Sequence, residues 1–347
     1  MKKEDYVVLG CRENDEFALD VCKRLDKDLG KVEFVKFANG ENKQIIHTNL
    51  RKMDVYFILT FKDNVDAEIF NALQVINNIK ISYCTNLAIV CPDLPYSRQD
   101  KRHGQREPNT ARLIGLLLGA AGGDHTITLE LHSPQIEGYH KSLDHLRMFL
   151  VFGHLFKERY KNEKDLWKKL AIISPDAGSL RLASMLAKEI SKEPGKAIEI
   201  GFVQKERIGV NIAKTGKIIG DVAEKDVIIV DDMVDTGGTL IAAADVAKKN
   251  GAKKVYACVT HAYMSDKQKK KFEDLLAESK VDELIITNTR PFIVDKVKNS
   301  AKLRKKITVL NIAPYMAEAI RRDRSGYTIT EMLEDINPTD LYEVVKL

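Results

Sequence analysis

Val-Ile-Ile-Val-Asp-Asp-Met-Val-Asp-Thr-Gly-Gly-Thr, residues Val227–Thr239, is the most informative stretch of the chain for its fold class. Its four leading β-branched apolar residues show no alternation, which predicts a strand buried on both faces, as in a parallel sheet. Asp231 and Asp232 follow at the carboxyl end of this strand, where open α/β sheets bind ligands. The sequence beyond it, Leu240–Lys249, has the composition of a helix. The stretch therefore predicts a strand–loop–helix unit of an α/β protein with a polar site at the strand end.

The loop after the acid pair, Asp235–Thr239, has the composition of a phosphate-binding turn. Two glycines let the backbone approach an anion closely, and amides at a helix start attract it. The loop is not a Walker A motif, because no lysine lies inside it and no Gly-Lys-Ser/Thr closes it. Asp231 and Asp232 would repel a bare phosphate, but they can accept hydrogen bonds from sugar hydroxyls or hold a divalent cation. A pentose 5-phosphate fits both parts of the stretch, whereas an acidic turn before an ordinary glycine loop is the simpler alternative.

The composition is that of a soluble globular protein, with 44% hydrophobic and 30% charged residues among 347. This length predicts two domains. The net charge of +5 is spread over mixed charges and gives no support for nucleic-acid binding. No apolar run approaches the roughly 20 residues that span a bilayer, and no signal region follows Met1. The five cysteines are scattered, which predicts reduced thiols in a cytoplasmic protein.

Strands and helices alternate along the chain, which predicts mostly parallel sheets flanked by helices. The predicted strands are 6–9, 32–37, 55–60, 87–91, 126–131, 170–174, 197–203, 227–230, 255–260, 284–289 and 307–312, and the predicted helices are 17–29, 67–79, 110–121, 240–249 and 316–322. Thr110 and Thr239 each begin a predicted helix and are each followed 22 residues later by a histidine, His132 and His261. This repeat favours two copies of one α/β fold, although any helix followed by a strand has about this length.

We place the domain boundary near residue 155, which gives an amino-terminal domain over 1–155 and a carboxy-terminal domain over 156–347. Residues 138–169 between the two halves are predicted to be helical and charged. The terminal helix is expected to pack back on the first domain, and residues 327–347 form a mixed polar tail.

The stretch Val227–Thr239 resembles the ribose-phosphate loop of type I phosphoribosyltransferases and of phosphoribosyl pyrophosphate (PRPP) synthetases. Seven further segments occur in the order of the second family: Phe37–Glu41, Pro95–Lys101, Glu130–Gly138, Ser174–Gly178, Lys205–Arg207, Gly220–Val222 and Ala317–Arg322. Each segment alone is weak, but together they cover nearly the whole chain to about residue 335. The chain therefore resembles the ribose-phosphate pyrophosphokinase (PRPP synthetase) family.

This resemblance implies two similar α/β domains of the type I phosphoribosyltransferase fold. It implies a transferase of nucleotide biosynthesis that moves the pyrophosphoryl group of ATP to the 1-hydroxyl of ribose 5-phosphate. Mg²⁺ is the implied cofactor, and ATP and ribose 5-phosphate are the implied small-molecule partners, with no nucleic acid and no membrane. A cytoplasmic homo-oligomer is expected, built from dimers that in the family assemble into hexamers.

The resemblance also assigns roles to residues. Lys205 and Arg207 match the family's catalytic pair on a mobile loop. The expected ribose-5-phosphate contacts are Asp231, Asp232, Asp235, Thr236, Gly237, Gly238 and Thr239. The expected ATP contacts are Phe37, Asn39, Glu41, Arg98, Gln99, Arg106 and His132, the first three reaching a neighbouring subunit's site. The expected metal site comprises His132, Asp176 and Glu130.

Each assignment has a plainer alternative. Lys205–Arg207 could form a solvated turn, and Phe37 in isolation would be a core residue. His132 could be a structural histidine or a phosphate contact, since Mg²⁺ prefers oxygen to imidazole. Arg98 could belong to a basic loop that binds any anion.

The sequence departs from the family at several positions. His103 replaces an aspartate, Glu130 stands where aspartate is usual, and Thr60-Phe61-Lys62 replaces a small Ser-Gly turn. Two other functions therefore stay open. A phosphoribosyltransferase that uses PRPP would share the Asp231–Thr239 loop, and a catalytically silent subunit would regulate an active partner.

Overall fold

The computed structural model describes residues 6–62, 64–102, 104–163, 165–191, 197–207, 213–266, 270–329 and 336–347, apart from the side chains of residues 205–207 and 213–215. The chain divides into two compact units. Unit 1 comprises Met1–Arg147, Thr289–Pro291 and Ile312–Ile336, and unit 2 comprises Met148–Asn288, Phe292–Asn311 and Asn337–Leu347. This division falls a few residues before the boundary expected near residue 155, and it assigns the terminal helix to unit 1.

The regular elements follow the alternation expected from the sequence. The strands are β1 (Tyr6–Gly10), β2 (Leu29–Gly30), β3 (Val32–Lys36), β4 (Asn42–Ile46), β5 (Asp54–Ile58), β6 (Asn86–Val90), β7 (His125–Leu129), β8 (Leu143–Leu146), β9 (Leu170–Ser174), β10 (Glu199–Arg207), β11 (Ala213–Ile219), β12 (Asp226–Val234), β13 (Val255–Ala262), β14 (Glu283–Thr287), β15 (Ile307–Asn311) and β16 (Glu343–Val344). The helices are α1 (Glu16–Leu25), α2 (Val65–Ile81), α3 (Thr110–Ala121), α4 (Phe149–Arg159), α5 (Leu166–Lys169), α6 (Leu180–Ile190), α7 (Gly238–Lys249), α8 (Phe272–Glu278), α9 (Phe292–Lys298), α10 (Ala301–Arg304) and α11 (Ala313–Ser325). Short 3₁₀ helices span Ser97–Gln99, Pro134–Tyr139 and Pro338–Leu341.

Both units are built on an open parallel sheet. The unit 1 sheet has the strand order β2-β1-β5-β6-β7-β8, and all of its neighbouring pairs are parallel. The unit 2 sheet has the order β11-β10-β9-β12-β13-β14-β15-β16, with antiparallel pairs only at its two edges. In unit 1, β1 lies between β2 and β5, and in unit 2, β9 lies between β10 and β12. The later strands of each sheet follow in order beyond β5 and beyond β12. The predicted α/β class with two similar, mostly parallel sheets is confirmed.

The stretch Val227–Val230 owes its burial to its place in the middle of the unit 2 sheet. Val227 and Ile229 of β12 pack in the same core cluster as Ala244 of α7. Ile228 and Val230 are also buried and, because side chains alternate along a strand, they face the other side. The uninterrupted apolar run is thus explained by a central parallel strand.

Three local predictions were wrong or incomplete. The strand β3 does not join the main sheet but pairs with β4 in a separate antiparallel hairpin. The segment 138–169, expected to be helical, contains β8, which extends the unit 1 sheet. The polar tail ends in β16, which pairs with β15 through Leu310 and Val344.

Helix α11 packs against α1 within unit 1 and carries Asp323 to a small polar cluster. His125 Nε2 lies 2.9 Å from Asp144 Oδ2, and Tyr56 donates a hydrogen bond to Asp323 Oδ2 at 2.5 Å. Burial lowers the pKa of His125, but the hydrogen bond and charge of Asp144 and the charge of Asp323 outweigh it, so that the pKa is raised. The cluster therefore favours a protonated imidazole between two carboxylates.

This cluster predicts a pH-dependent contribution to stability. Because the pKa of His125 is raised on folding, its ion pair stabilises fully below the unfolded pKa of about 6.5 and is lost as pH rises through the folded pKa. We expect Asp144→Asn to lower the melting temperature most near pH ~5.5–6 and least at alkaline pH. Thermal unfolding of the unchanged protein and of Asp144→Asn, from pH ~5.5 to alkaline pH, checks the prediction. The substitution Asp165→Asn, at an exposed position, is the control. A difference that is constant with pH would contradict it.

No helix among the described residues is long and apolar enough to cross a membrane.

Candidate active site

The acid pair lies inside β12, not beyond its end, because this strand is longer than the sequence predicts. Pairing with β13 continues through Asp231, opposite Val259, to Val234. On the other side, pairing with β9 stops at Ile229, opposite Ile173. From that point the edge of β12 is open to the loop that follows β9. Asp231 is half-buried there, and Asp232 is buried.

The loop after β9 brings Asp176 and Ser179 to this opening. Ser174 Oγ donates to the carbonyl oxygen of Asp176 at 2.5 Å, and the Gly178 amide donates to Asp176 Oδ1 at 2.9 Å. Ser179 Oγ donates to Asp231 Oδ1 at 2.6 Å. These bonds fix the shape of the loop and join it to β12. The serine is a site residue that sequence reasoning missed, because its partner Asp231 lies 52 residues away in the chain.

The charges around Asp231 favour a ligand that donates hydrogen bonds or carries positive charge. Burial raises the pKa of the Asp231 carboxyl, and so do the charge of Asp232, a hydrogen bond with it and the charge of Asp176, while the Ser179 hydrogen bond opposes the rise. Among the described residues, the Ser179 hydrogen bond therefore compensates the ionised Asp231 carboxylate only in part. Sugar hydroxyls or a divalent cation would supply it.

The same electrostatics predict that Asp231→Asn stabilises the protein without ligands. A carboxyl whose pKa is raised on folding makes stability fall as pH rises from the unfolded value near 3.9 toward the folded one. The substituted amide would retain an Oδ1 acceptor for Ser179 while removing the charge. We expect the melting temperature at pH ~7.5, with chelator and no substrate, to rise by about 2–6 °C, and the gain to shrink toward pH ~4. A gain that is the same at both pH values would contradict this account.

The loop Asp235–Thr239 connects the acid pair to α7 in the geometry of an anion site. Gly237 precedes the helix with a φ of 76°, and a Cβ there would lie 3.0 Å from the Phe272 ring. The N-cap residue Gly237 makes no side-chain cap bond, and the first amides of a helix are a favourable site for an anion. The structure thus brings all of the predicted ribose-5-phosphate residues together on one strand–loop–helix segment of unit 2.

In unit 1 the loop after β6 holds Arg98 and Gln99 at the surface. Tyr96 adopts a left-handed conformation with a φ of 61°, and the 3₁₀ turn Ser97–Gln99 follows. Both site residues are exposed, and Gln99 Oε1 accepts a hydrogen bond from Thr110 Oγ1 at 2.5 Å. The predicted Arg106 is also exposed, with a φ of 64°.

Two buried aspartates brace this loop. Asp100 accepts a bond from Gln135 Nε2 at 2.6 Å, and its carbonyl accepts one from Tyr139 Oη at 2.7 Å. Asp93 Oδ2 pairs with Arg290 Nη1 at 3.1 Å, and both side chains are almost fully buried. Arg290 belongs to the short Thr289–Pro291 segment of unit 1. No local pattern indicates this pair, because its members lie 197 residues apart.

Phe37, Asn39 and Glu41 lie at the exposed turn of the β3–β4 hairpin. Phe37 is 46% exposed and is therefore not a core residue. Its amide donates to the Glu41 carbonyl at 2.8 Å, and Asn39 Oδ1 accepts from the Glu41 amide at 3.1 Å. The turn presents an aromatic ring, an amide and a carboxylate to the surroundings of unit 1.

The predicted metal residues have different surroundings. His132 is exposed in the loop after β7. Glu130 is buried with a φ of 36°, and Arg147 Nη1 lies 3.4 Å from its Oε1. Asp176, near Asp231 and Asp232 in unit 2, belongs to an oxygen-rich group whose mutual repulsion raises the pKa of Asp231. That donor set fits Mg²⁺, whereas the Glu130 carboxylate already has a cationic partner.

Lys205 and Arg207 lie at the end of β10, in the antiparallel hairpin with β11. The register of the hairpin shifts between Gln204 and Glu206. The two side chains, the loop residues 208–212 and His103 lie outside the described residues.

Two family models match the two halves of the chain. Residues 6–122 match the N-terminal domain of ribose phosphate pyrophosphokinase, and residues 189–333 match the phosphoribosyl synthetase-associated domain. A ribose-phosphate pyrophosphokinase of Clostridium tetani is 32% identical over 96% of this chain and 98% of its own. The chain belongs to the ribose-phosphate pyrophosphokinase family.

Other members of the family show a similarity of the same extent. Ribose-phosphate pyrophosphokinase 2 of Schizosaccharomyces pombe is 33% identical over 95% of this chain and 98% of its own. The crystal structure of phosphoribosylpyrophosphate synthetase from Mycobacterium smegmatis superposes with a TM-score of 0.80 at 30% identity, covering 93% of this chain and all of that one. The family and fold implied by the sequence resemblance are confirmed.

Proposed function

We propose that this chain is an enzyme that transfers the pyrophosphoryl group of ATP to the 1-hydroxyl of ribose 5-phosphate, giving PRPP and AMP. The observation that carries the proposal is the continuous segment from Asp231 to Thr239, which combines an acid pair with a helix-start anion loop, in a chain of the ribose-phosphate pyrophosphokinase family. In the reaction O1 of the sugar attacks the β-phosphorus, the bond to the α,β-bridging oxygen breaks, and the hydroxyl proton is released. Such transfers depend on in-line positioning and on charge neutralisation.

Ribose 5-phosphate would bind in unit 2. Asp231 and Asp232 accept hydrogen bonds from its vicinal hydroxyls and so fix the orientation of the 1-hydroxyl. The amides and hydroxyls of Asp235–Thr239 hold the 5-phosphate. The open edge of β12 beside Asp231 supports this assignment, because it leaves the carboxylate accessible from the β9 side.

ATP would bind to the exposed side chains of unit 1. Arg98 and Arg106 neutralise phosphate charge, and Gln99 contributes a polar contact. Phe37 stacks on the purine, while Asn39 and Glu41 bind its exocyclic amine. The exposed hairpin turn supports these adenine contacts, since its three side chains have no core to pack in.

We propose Mg²⁺ as the cofactor, with His132, Asp176 and Glu130 as the candidate metal residues. When bound, Mg²⁺ supplies positive charge to the polyphosphate. Asp176 is the best supported of the three, because it belongs to an oxygen-rich group. His132 serves equally as a phosphate contact, and Glu130 is the weakest candidate while Arg147 neutralises it.

The catalytic pair would be Lys205 and Arg207. Their charges stabilise the non-bridging oxygens of the pentavalent phosphorus, and the guanidinium can do so through two parallel bonds. Both residues lie at the end of β10, in the hairpin with β11.

We further propose a cytoplasmic homo-oligomer built from dimers. Phe70 of α2 and Leu113 and Leu116 of α3 are 61%, 50% and 54% exposed, and these helices pack against each other in unit 1. Such apolar exposure is typical of protein–protein contacts. The five cysteines are free thiols, which supports a reducing compartment.

The decisive experiment mixes the purified chain with ATP, ribose 5-phosphate and Mg²⁺, with and without phosphate and ADP, and measures AMP and PRPP. Equimolar AMP and PRPP, both absent when ribose 5-phosphate is omitted, are the expected result. Consumption of PRPP with a purine or pyrimidine base and no AMP release would identify a phosphoribosyltransferase instead. No product from this chain alone, with activity only after an active partner is added, would identify a regulatory subunit.

A further inference from the structure

The serine that precedes α6 does not act as a helix cap. Ser179 occupies the N-cap position, where a serine oxygen normally accepts a hydrogen bond from the first turn of the helix. The Ser179 side chain makes no such bond. Its hydroxyl instead donates to Asp231 Oδ1 at 2.6 Å, across 52 residues of sequence.

Asp231 receives this bond on an oxygen that has a second donor. The Asp232 amide also donates to Asp231 Oδ1, at 3.1 Å. The same oxygen is therefore held from two directions, one from the β9 loop and one from β12 itself. Two donors on one carboxylate oxygen restrict the rotation of the Asp231 carboxylate.

The negative charges around Asp231 make the Ser179 hydrogen bond important for its ionised form. Asp231 is repelled by Asp232 on its own strand and by Asp176 on the β9 loop, and both oppose its ionisation. Ser179 is a neutral donor that favours the ionised form. Removing its hydroxyl would leave the Asp231 carboxylate freer to rotate and would raise the free energy of its ionised form.

We propose that Ser179 is a positioning residue for the sugar site: its hydroxyl holds Asp231 by Oδ1 so that Oδ2 is presented to the vicinal hydroxyls of the pentose phosphate. This inference rests on the proposed function for the identity of the ligand. Ser179 itself does not touch the reacting atoms. It determines how tightly the acceptor sugar binds, whereas the transfer step depends on other residues.

Ser179→Ala is the primary test, by steady-state kinetics with saturating ATP and Mg²⁺. Loss of a hydrogen bond to a charged group predicts a rise in KM for ribose 5-phosphate of about tenfold or more, with kcat within about twofold of the unchanged protein. Ser179→Thr retains the hydroxyl and should restore most of the affinity. Ser191→Ala is the matched control, since its hydroxyl donates to the Ala187 carbonyl at the end of the same helix.

Ser179→Asp separates positioning from helix capping. Aspartate is a good N-cap and a favourable charge at a helix start, whereas its repulsion of Asp231 lowers stability, so the two effects on the melting temperature oppose each other. The same carboxylate repels Asp231, so KM for ribose 5-phosphate should rise beyond that of Ser179→Ala. If Ser179→Ala lowers the melting temperature and Ser179→Asp restores both stability and KM, the serine is a cap and the proposal is wrong.

Calorimetric titration with ribose 5-phosphate distinguishes failure of this inference from failure of the proposed function. If the unchanged protein makes no AMP but binds the sugar phosphate, and Ser179→Ala weakens that binding about tenfold, the function is wrong and the inference holds. If the protein makes AMP and PRPP while Ser179→Ala leaves both KM and the dissociation constant unchanged, the function holds and the inference is overturned.

Discussion

Lys205→Ala is expected to lower the turnover number by about 10²–10³-fold, with little change in the affinity for ribose 5-phosphate. The transferred group carries its negative charge on the non-bridging oxygens, and an ammonium group aimed at them stabilises the transition state more than the ground state. The proposed sugar site is a different segment, Asp231–Thr239, so we expect sugar binding not to need this lysine. Rapid-quench measurement of AMP formation and calorimetric titration with ribose 5-phosphate check the two halves of the prediction.

Lys217→Ala is the matched control for this variant. Lys217 is an exposed lysine of the same hairpin, paired opposite Gln204. Its removal changes the local charge equally and should leave turnover nearly unchanged. A comparable loss in both variants would assign the effect to general charge, and loss of sugar binding with normal turnover would place Lys205 in a different role.

Asp93→Ala is expected to lower the free energy of unfolding of unit 1 by about 3–5 kcal/mol, or its melting temperature by about 6–20 °C. The substitution leaves the Arg290 guanidinium buried without its carboxylate partner. Arg290 Nη2 also donates to the Lys62 carbonyl at 3.4 Å, a long bond to a neutral acceptor that does not replace the charge of a carboxylate. Differential scanning calorimetry measures the loss, since the two units can unfold in separate transitions.

Two further variants make this measurement specific. Asp165→Ala removes an exposed carboxylate whose lysine partner lies 3.2 Å away, and should change stability by less than about 0.5 kcal/mol. Asp93→Leu combined with Arg290→Met removes both buried charges, and should recover much of the stability lost in Asp93→Ala. Equal effects of Asp93→Ala and Asp165→Ala would show that the buried pair has no special role.

The sequence was sufficient where a local pattern determines the structure. The apolar run Val227–Val230 predicted a central parallel strand, and the structure places it between β9 and β13. The glycine pair at 237–238 predicted the turn before α7, and Gly237 adopts the required positive φ. In both cases the residues that specify the conformation lie next to each other in the chain.

The features that were not predicted depend on tertiary contacts with other segments of the chain, which a local pattern does not reveal. β3 has the composition of any strand, and only its pairing with β4 keeps it out of the main sheet. β8 and β16 are short strands at the edges of their sheets and lack the long apolar run of a central strand. Ser179 and Arg290 were not predicted, because their partners Asp231 and Asp93 lie 52 and 197 residues away in the chain.

Unit 1 consists of three separate segments of the sequence, so its parts are not synthesised one after another. Residues up to Arg147 supply all six strands of its sheet, but α11 and Arg290 are synthesised only after most of unit 2. At about 5–20 residues per second, roughly 10–35 s separate the emergence of Arg147 from that of Ser325. During this interval the nascent sheet lacks the helix that covers α1 and the cation that neutralises Asp93. An amino-terminal fragment ending at Arg147 would lack both α11 and Arg290 permanently. The growing chain likewise relies on the partial stability of its first half until α11 has been synthesised.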